Sequence, residues 1–270
     1  MDLEYKKILS SNFLHRLITT LFLLPVILYC TYKGGYWSKS LVLISSIFLA
    51  NEWFLLTQNK TKNLDRYIFI VLIFFSLLLS IFLYFPFSIL VILFFSLFYT
   101  FNFLIKKNTD NYDKWLLYGF LYICIPLLIF IHIQNLYDGK ILLIWFLVVV
   151  FSTDIFSYIF GKLLKGPKIF PITSPSKTYS GTFLGIFFAT ISGVIFSLMF
   201  INNMKLSYNI IFCILISSSA LFGDFFISKI KRIFKVKNSG NLLPGHGGFL
   251  DRYDSIAFSL IILFFLIYFF

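Results

Sequence analysis

The chain has 270 residues, of which 59% are hydrophobic, 21% aromatic and only 13% charged, against a charged share of about 25% in an ordinary soluble domain. A water-soluble globule is excluded, because no core of this size hides so much apolar surface and the remainder must face hydrocarbon. The net charge of +12, from 23 Lys and Arg against 11 Asp and Glu, would suit nucleic acid, an anionic membrane surface or a phosphate-bearing substrate. The basic residues lie in short stretches between apolar runs and form no basic domain, so no nucleic-acid partner is expected, and the charge serves topology and phosphate binding.

A membrane span needs about 20 apolar residues, and in chain order the candidates lie near 14–32, 40–57, 67–84, 87–105, 115–134, 141–160, 182–202, 207–227 and 255–270. All are expected as helices: hydrocarbon offers no partner to a backbone N–H or C=O, and long runs without period-2 alternation do not suit barrel strands. The run near Leu17 to Tyr32 is followed by no small-residue cleavage site and reads as a retained span. Of the 23 basic residues, 19 fall in alternate connecting segments, which assigns the N-terminus and the segments 58–66, 106–114, 161–181 and 228–254 to the cytoplasm. Cys30, Cys124 and Cys213 each sit inside an apolar run with no C-x-x-C pair, and read as small apolar residues. With no internal repeat or low-complexity linker, residues 1–270 read as one all-α integral membrane domain with about nine transmembrane helices. Its N-terminal spans cover about 14–134, and its C-terminal spans and cytoplasmic loops about 141–270.

Three acids fall inside spans, Glu52, Asp154 and Asp224. Each costs roughly 2.5–3.5 kcal/mol to insert and is a functional candidate by default. All three belong to the cytoplasmic halves of their spans, beside two loops whose composition gives them a shape. Segment 161–181 carries Gly161, Gly166, Pro167, Pro171, Pro175 and Gly181, and 228–254 carries six basic residues and a Gly-rich turn. On a helix continuing from Asp224, Ser228 and Lys231 share its face at i+4 and i+7, with Arg232 adjacent. A carboxylate followed by cations along one wall suits a metal ion beside a polyphosphate. Further on, Gly245, Gly247 and Gly248 surround His246 immediately before Asp251 and Asp254. Glycines let successive N–H groups point at an anion, and the two acids, three residues apart at the start of the last helix, can bind Mg²⁺. His15 and His132 read as structural or interfacial.

The run Ser228-Lys-Ile-Lys231-Arg232, then Lys237, then Ser239-Gly240-Asn-Leu-Leu-Pro244-Gly-His246-Gly-Gly-Phe-Leu-Asp251-Arg252-Tyr-Asp254 resembles the signature of the phosphatidate cytidylyltransferase (CDP-diacylglycerol synthase) family. Gly223-Asp224 matches its Gly-Asp, Ser174-Pro175 with Lys177-Thr178 resembles its Ser-Pro-Lys-Lys-Thr segment, and Ser152-Thr153-Asp154 resembles an intramembrane acid motif. The chain departs from the pattern at Ile227 and Ser180, where the family carries glutamates, at Ser176 for a lysine and at Asn238 for an acid. Asn238 keeps a carbonyl oxygen for a cation, without charge.

The resemblance implies an enzyme of phospholipid biosynthesis that makes CDP-diacylglycerol and pyrophosphate from CTP and phosphatidic acid at the cytoplasmic rim of a bacterial inner membrane. It implies Mg²⁺, with a second cation as one alternative, and allows a homodimer. Asp224 and Asp251 would be metal ligands, with Asp254 and Asn238 beside them. Lys231, Arg232 and Arg252 would hold phosphates, and Gly245, Gly247, Gly248 and His246 would cradle the nucleotide or leaving group. Ser174, Lys177 and Thr178 would contact lipid phosphate or CTP, Ser228 would join this substrate-binding set, and a side opening between spans six to nine would admit the acyl chains. The alternatives are a CTP-dependent kinase of a lipid alcohol, a membrane transporter, and a homologue with reduced catalysis.

Overall fold

The computed structural model describes residues 23–57, 63–105, 112–171, 173–201, 204–240 and 247–269. Among them the chain forms α1 (Leu23–Lys33), α2 (Tyr36–Thr57), α3 (Asn63–Phe82), α4 (Phe85–Ile105), α5 (Tyr112–Gln134) and α6 (Gly139–Leu164). A small hairpin follows, β1 (Lys168–Phe170) and β2 (Ser174–Thr178), and then α7 (Tyr179–Phe200), α8 (Leu206–Ile233) and α9 (Leu250–Phe269). Each apolar stretch of the sequence carries a helix, the first only from residue 23 onward, since 14–22 lie outside the described residues. By length and composition, six helices can cross a membrane: Tyr36–Thr57, Leu64–Phe82, Lys114–Gln134, Gly139–Leu164, Tyr179–Phe200 and Leu206–Ile233. The protein is therefore a helical, multi-pass membrane protein, and a count of nine crossings rests on the sequence alone.

Packing of α7 against α6 shows how such helices associate without water to drive them together. Gly181, Gly185, Ala189, Gly193 and Ser197 recur every four residues and form the buried stripe of α7, so the two backbones approach closely. A Cβ at Gly185 would lie 2.0 Å from the Ser157 hydroxyl, and one at Gly193 would lie 2.6 Å from both Val149 and Cys213. The Trp145 indole N–H donates to the Gly193 carbonyl at 2.9 Å, which satisfies a buried donor across the same seam. The outer face of α7 presents Phe183, Phe187, Ile191 and Ile195, as a lipid-facing surface requires. Helices α8 and α9 complete this half, and α5 joins it to α2–α4 through contacts with α9 and α6.

The same logic holds in the N-terminal half, where Gly119 leaves room for the Trp53 indole, whose N–H donates to the Trp115 carbonyl at 2.9 Å. The hairpin departs from a purely helical chain. Its strands pair antiparallel with Lys168 opposite Thr178 and Phe170 opposite Ser174. The Phe170 ring stacks on Phe225 of α8 at 3.8 Å, so the hairpin folds back over α8 and carries Lys177 with it. Gly185→Val should press on Ser157 and destabilise the α6–α7 seam by about 1–3 kcal/mol. Thermal unfolding in detergent would read this as a lowered Tm, with Ala at the lipid-facing Phe187 as the control that leaves Tm nearly unchanged.

Candidate active site

Four acids from three helices meet at one polar cavity of about 500 Å³: Asp154 of α6, Asp224 of α8, and Asp251 and Asp254 of α9. Asp224 and Asp251 thus face a shared hollow, although 27 positions separate them in the chain. Lys177 enters from β2 and forms an ion pair with Asp224. Thr178, Ser228 and Arg252 line the same space. The fold explains each placement. Gly223 presses so closely on α9 that a Cβ there would lie 2.1 Å from the Asp254 carbonyl, which brings Asp224 against the first turns of α9. Thr178 caps α7 by accepting the Gly181 N–H at 3.1 Å, and this fixes the end of the strand that carries Lys177.

The cavity sets four carboxyl groups against Lys162, Lys177 and Arg252. Burial alone would lower the Lys177 ammonium, but the carboxylates of Asp224, Asp154 and Asp254 outweigh it and hold its pKa above the ordinary lysine value. Asp251 is paired with Lys231, Nζ to Oδ1 at 2.7 Å. Asp254 is buried and accepts the Ser255 N–H at 2.9 Å, and Asp154 accepts the Ser255 hydroxyl at 3.3 Å. Neither has a cation within ion-pair distance among the described residues. No three acid, His or Cys side chains among the described residues are arranged to hold an ion unaided. The donor set is nevertheless one of hard oxygens, which fits a divalent cation whose remaining ligands come from a phosphate or water.

The Gly-rich segment is held by two carboxylates. Asp251 Oδ2 accepts the N–H groups of Gly248 at 3.0 Å and Ser239 at 3.2 Å. Glu52, from the far end of α2, accepts the N–H groups of Phe249 at 2.9 Å and Leu250 at 2.8 Å, and the Ser239 hydroxyl at 3.2 Å. Gly247 has φ +88, and a Cβ there would sit 2.7 Å from Asp251 Oδ2, so a side chain is opposed by both the backbone conformation and the available space. At Gly248 a Cβ would meet the Ser239 hydroxyl at 2.0 Å and Glu52 at 2.3 Å.

Of the residues singled out from the sequence, the structure brings together Asp224, Asp251, Asp254, Lys177, Thr178, Ser228 and Arg252 at the cavity. Lys231 reaches it through Asp251. Arg232 does not point there: it donates to the carbonyls of Thr173 at 3.3 Å and Val236 at 3.5 Å. Ser174 is buried at the start of β2, away from the cavity lining. Asn238 is exposed beside Gly247, also off the lining. His246 and Gly245 lie outside the described residues. Ile227, where the resemblance implied a glutamate, is fully buried in the apolar core. The sequence marks Asp154 and Glu52 as functional candidates but gives neither a role in the site. Both carried the signal of an acid in an apolar span, yet only their neighbours in space reveal their roles. Tyr158 and Lys162 complete another wall, and their donor–acceptor contact at 2.9 Å along one helix face follows from an i, i+4 spacing readable in the sequence.

Residues 14–270 match the family described as "Cytidylyltransferase family". The chain is 39% identical over 164 residues to the phosphatidate cytidylyltransferase of Rickettsia bellii, covering 58% of this chain and 71% of that protein. It is 42% identical over 135 residues to the Helicobacter pylori enzyme of the same name, 48% of each chain, and 37% identical over 164 residues to that of Bacillus subtilis, 60% of this chain and 61% of the relative.

Lys177→Met should leave Asp224 without its partner and destabilise the protein by about 1–3 kcal/mol. Because the folded-state pKa of Lys177 is raised, its contribution is fully present below the ordinary lysine pKa of about 10.4 and is lost as pH rises past the folded value. The Tm gap between the natural protein and this variant should therefore hold from neutral to mildly alkaline pH and shrink only in strong alkali, and Asp224→Asn in the Lys177→Met background should recover part of it.

Proposed function

The chain belongs to the cytidylyltransferase family, and from that premise we propose that it is a phosphatidate cytidylyltransferase, making CDP-diacylglycerol and pyrophosphate from CTP and phosphatidate in a bacterial membrane. The observation that carries this reading is the cavity itself. It holds acids of α6, α8 and α9 together with Lys177 and Arg252, so groups of both charges face one hollow. The relatives named phosphatidate cytidylyltransferase supply the substrates, and neither a lipid-alcohol kinase nor a transporter is favoured.

The reaction brings two anions together. An oxygen of the lipid phosphate forms a bond to the α-phosphorus of CTP, the bond from that phosphorus to the bridging oxygen breaks, and pyrophosphate leaves with the electron pair. Positioning and charge neutralisation supply most of the acceleration in such transfers. Asp154 and Asp254 have no ion-pair partner among the described residues, and ionised they would repel both reactants. We therefore assign Asp224 and Asp254, with Asp154 adjoining, as the residues that would hold Mg²⁺. Bound there, the ion would neutralise phosphate charge and polarise the reacting phosphoryl group. Lys177 is placed to exchange Asp224 for a phosphate oxygen, since its ammonium stays protonated at neutral pH. Arg252 presents a guanidinium that makes no ion pair among the described residues and suits bidentate contact with phosphate. Lys231 neutralises Asp251 through one oxygen, and the other oxygen of Asp251 holds the N–H groups of Gly248 and Ser239.

Arg252 also supports the lipid half of the reading. It lines a second hollow, almost wholly apolar, formed by residues such as Ile27, Val42, Leu127, Leu147 and Ile256. A lipid with its phosphate at Arg252 could lay apolar chain into that hollow, which lies among α1, α2, α5, α6 and α9 and not within the α6–α9 group expected from the sequence. We assign the polar cavity to the cytoplasmic side, where CTP is available, on the charge asymmetry of the connecting segments.

Purified protein in detergent, given CTP, Mg²⁺ and phosphatidate, should yield one CDP-diacylglycerol and one pyrophosphate per turnover, read by mass spectrometry and phosphate release. CDP together with a newly phosphorylated lipid alcohol would identify a kinase and overturn the reading. Asp224→Asn and Asp254→Asn should each lower kcat by about 10²–10³-fold and raise the Mg²⁺ concentration required. Near-normal turnover at limiting Mg²⁺ would remove them from the ion.

A further inference from the structure

Glu52 is 1% exposed and lies on α2, none of whose residues lines the polar cavity. A buried carboxylate is costly unless its oxygens are hydrogen-bonded, and here three donors approach it: the Phe249 and Leu250 N–H groups and the Ser239 hydroxyl. It has no cation within ion-pair distance among the described residues. The donors belong to the two ends of one segment. Ser239 stands before residues 241–246, and Phe249 and Leu250 follow them at the start of α9. Asp251 grips the same two ends, taking the N–H groups of Ser239 and Gly248. Gly240 and Gly248 both abut Glu52, where Cβ atoms would come within 2.7 and 2.3 Å of its oxygens. The carboxylate is thus enclosed by residues 239–240 and 248–250.

We propose that Glu52 is a positioning residue for the transfer reaction. It ties the neck of the Gly-rich loop and the first turn of α9 to the N-terminal half of the protein, so that Arg252 and Asp254 are presented to the cavity. This rests on the cytidylyltransferase reading above and adds to it a residue far from the reacting atoms. First-turn N–H groups of a helix have no partner within the helix, and an acid is favoured at that end. In α9 these requirements are met by a side chain 198 positions earlier in the chain, so the start of α9 moves only if α2 moves with it.

Glu52→Gln is the test. Its amide keeps one acceptor oxygen but turns an NH₂ group toward a donor, so at least one of the three bonds is lost while volume is preserved. Expected are a kcat about 10- to 100-fold lower, a CTP KM raised about fivefold with the phosphatidate KM nearly unchanged, and faster amide hydrogen exchange in peptides spanning 247–252, with exchange across α7 unaltered. Ser239→Ala removes one bond and leaves both amide contacts, so it keeps the fold should Glu52→Gln fail to accumulate, and should shift exchange and CTP KM the same way by a smaller factor. Loss of activity in proportion to unfolded protein, with both KM values and the exchange of 247–252 as in the natural protein, would overturn the proposal, as would unchanged kinetics. Absence of CDP-diacylglycerol formation by the natural protein would instead remove the cytidylyltransferase reading, and exchange at 247–252 in the two variants would still decide whether Glu52 holds the loop.

Discussion

The first turn of α9 must find acceptors for its N–H groups, and the rest of the site depends on how it does so. Gly248 is satisfied by Asp251 within the same turn, and Phe249 and Leu250 by Glu52 from α2. Two carboxylates at a helix N-terminus agree with the direction of its dipole. They also fix the rotation of α9 about its axis. With Leu250 and Tyr253 buried in the core, Arg252 and Asp254 are turned to the polar cavity. The glycines at 247 and 248 are required by the same arrangement, since a side chain at either would occupy the space of a carboxylate oxygen.

Charge inside the cavity follows a different logic. Asp154, Asp224 and Asp254 converge on Lys177, and Lys231 is drawn to Asp251, which leaves Asp154 and Asp254 without an ion-pair partner among the described residues. Buried acids without a partner cost stability unless something positive joins them. An ion that joins them in the proposed reaction also offsets the charge of two phosphates. A membrane protein gains from this arrangement twice: the acids are sheltered from hydrocarbon by the packing of α6 on α7 and of α8 on α9, and the apolar hollow beside Arg252 lies within reach of the same guanidinium.

Much of this was legible in the chain. Low charge and long apolar runs require helices in hydrocarbon, because no other element with open backbone groups is tolerated there. Asp224, Ser228 and Lys231 lie on one face at helical spacing, and the structure places Asp224 and Ser228 at the cavity with Lys231 bound to Asp251. Arg232, one residue further round the helix, turns instead to the hairpin and to the Val236 carbonyl. A rotation of 100° per residue separates neighbours on a helix, and adjacency in sequence could not predict a shared direction. The hairpin around Lys177 was visible only as a Pro- and Gly-rich segment.

The sequence by itself determined the solvent, the helices and the chemical character of the site, since those follow from local composition and spacing. Tertiary structure alone decided which acids share a cavity, that Asp154 belongs with them, and that Glu52 holds the Gly-rich loop. The physical reason is that a buried carboxylate is defined by whichever donors surround it. For Glu52 those donors lie at positions 239, 249 and 250, far beyond the reach of any periodicity along α2.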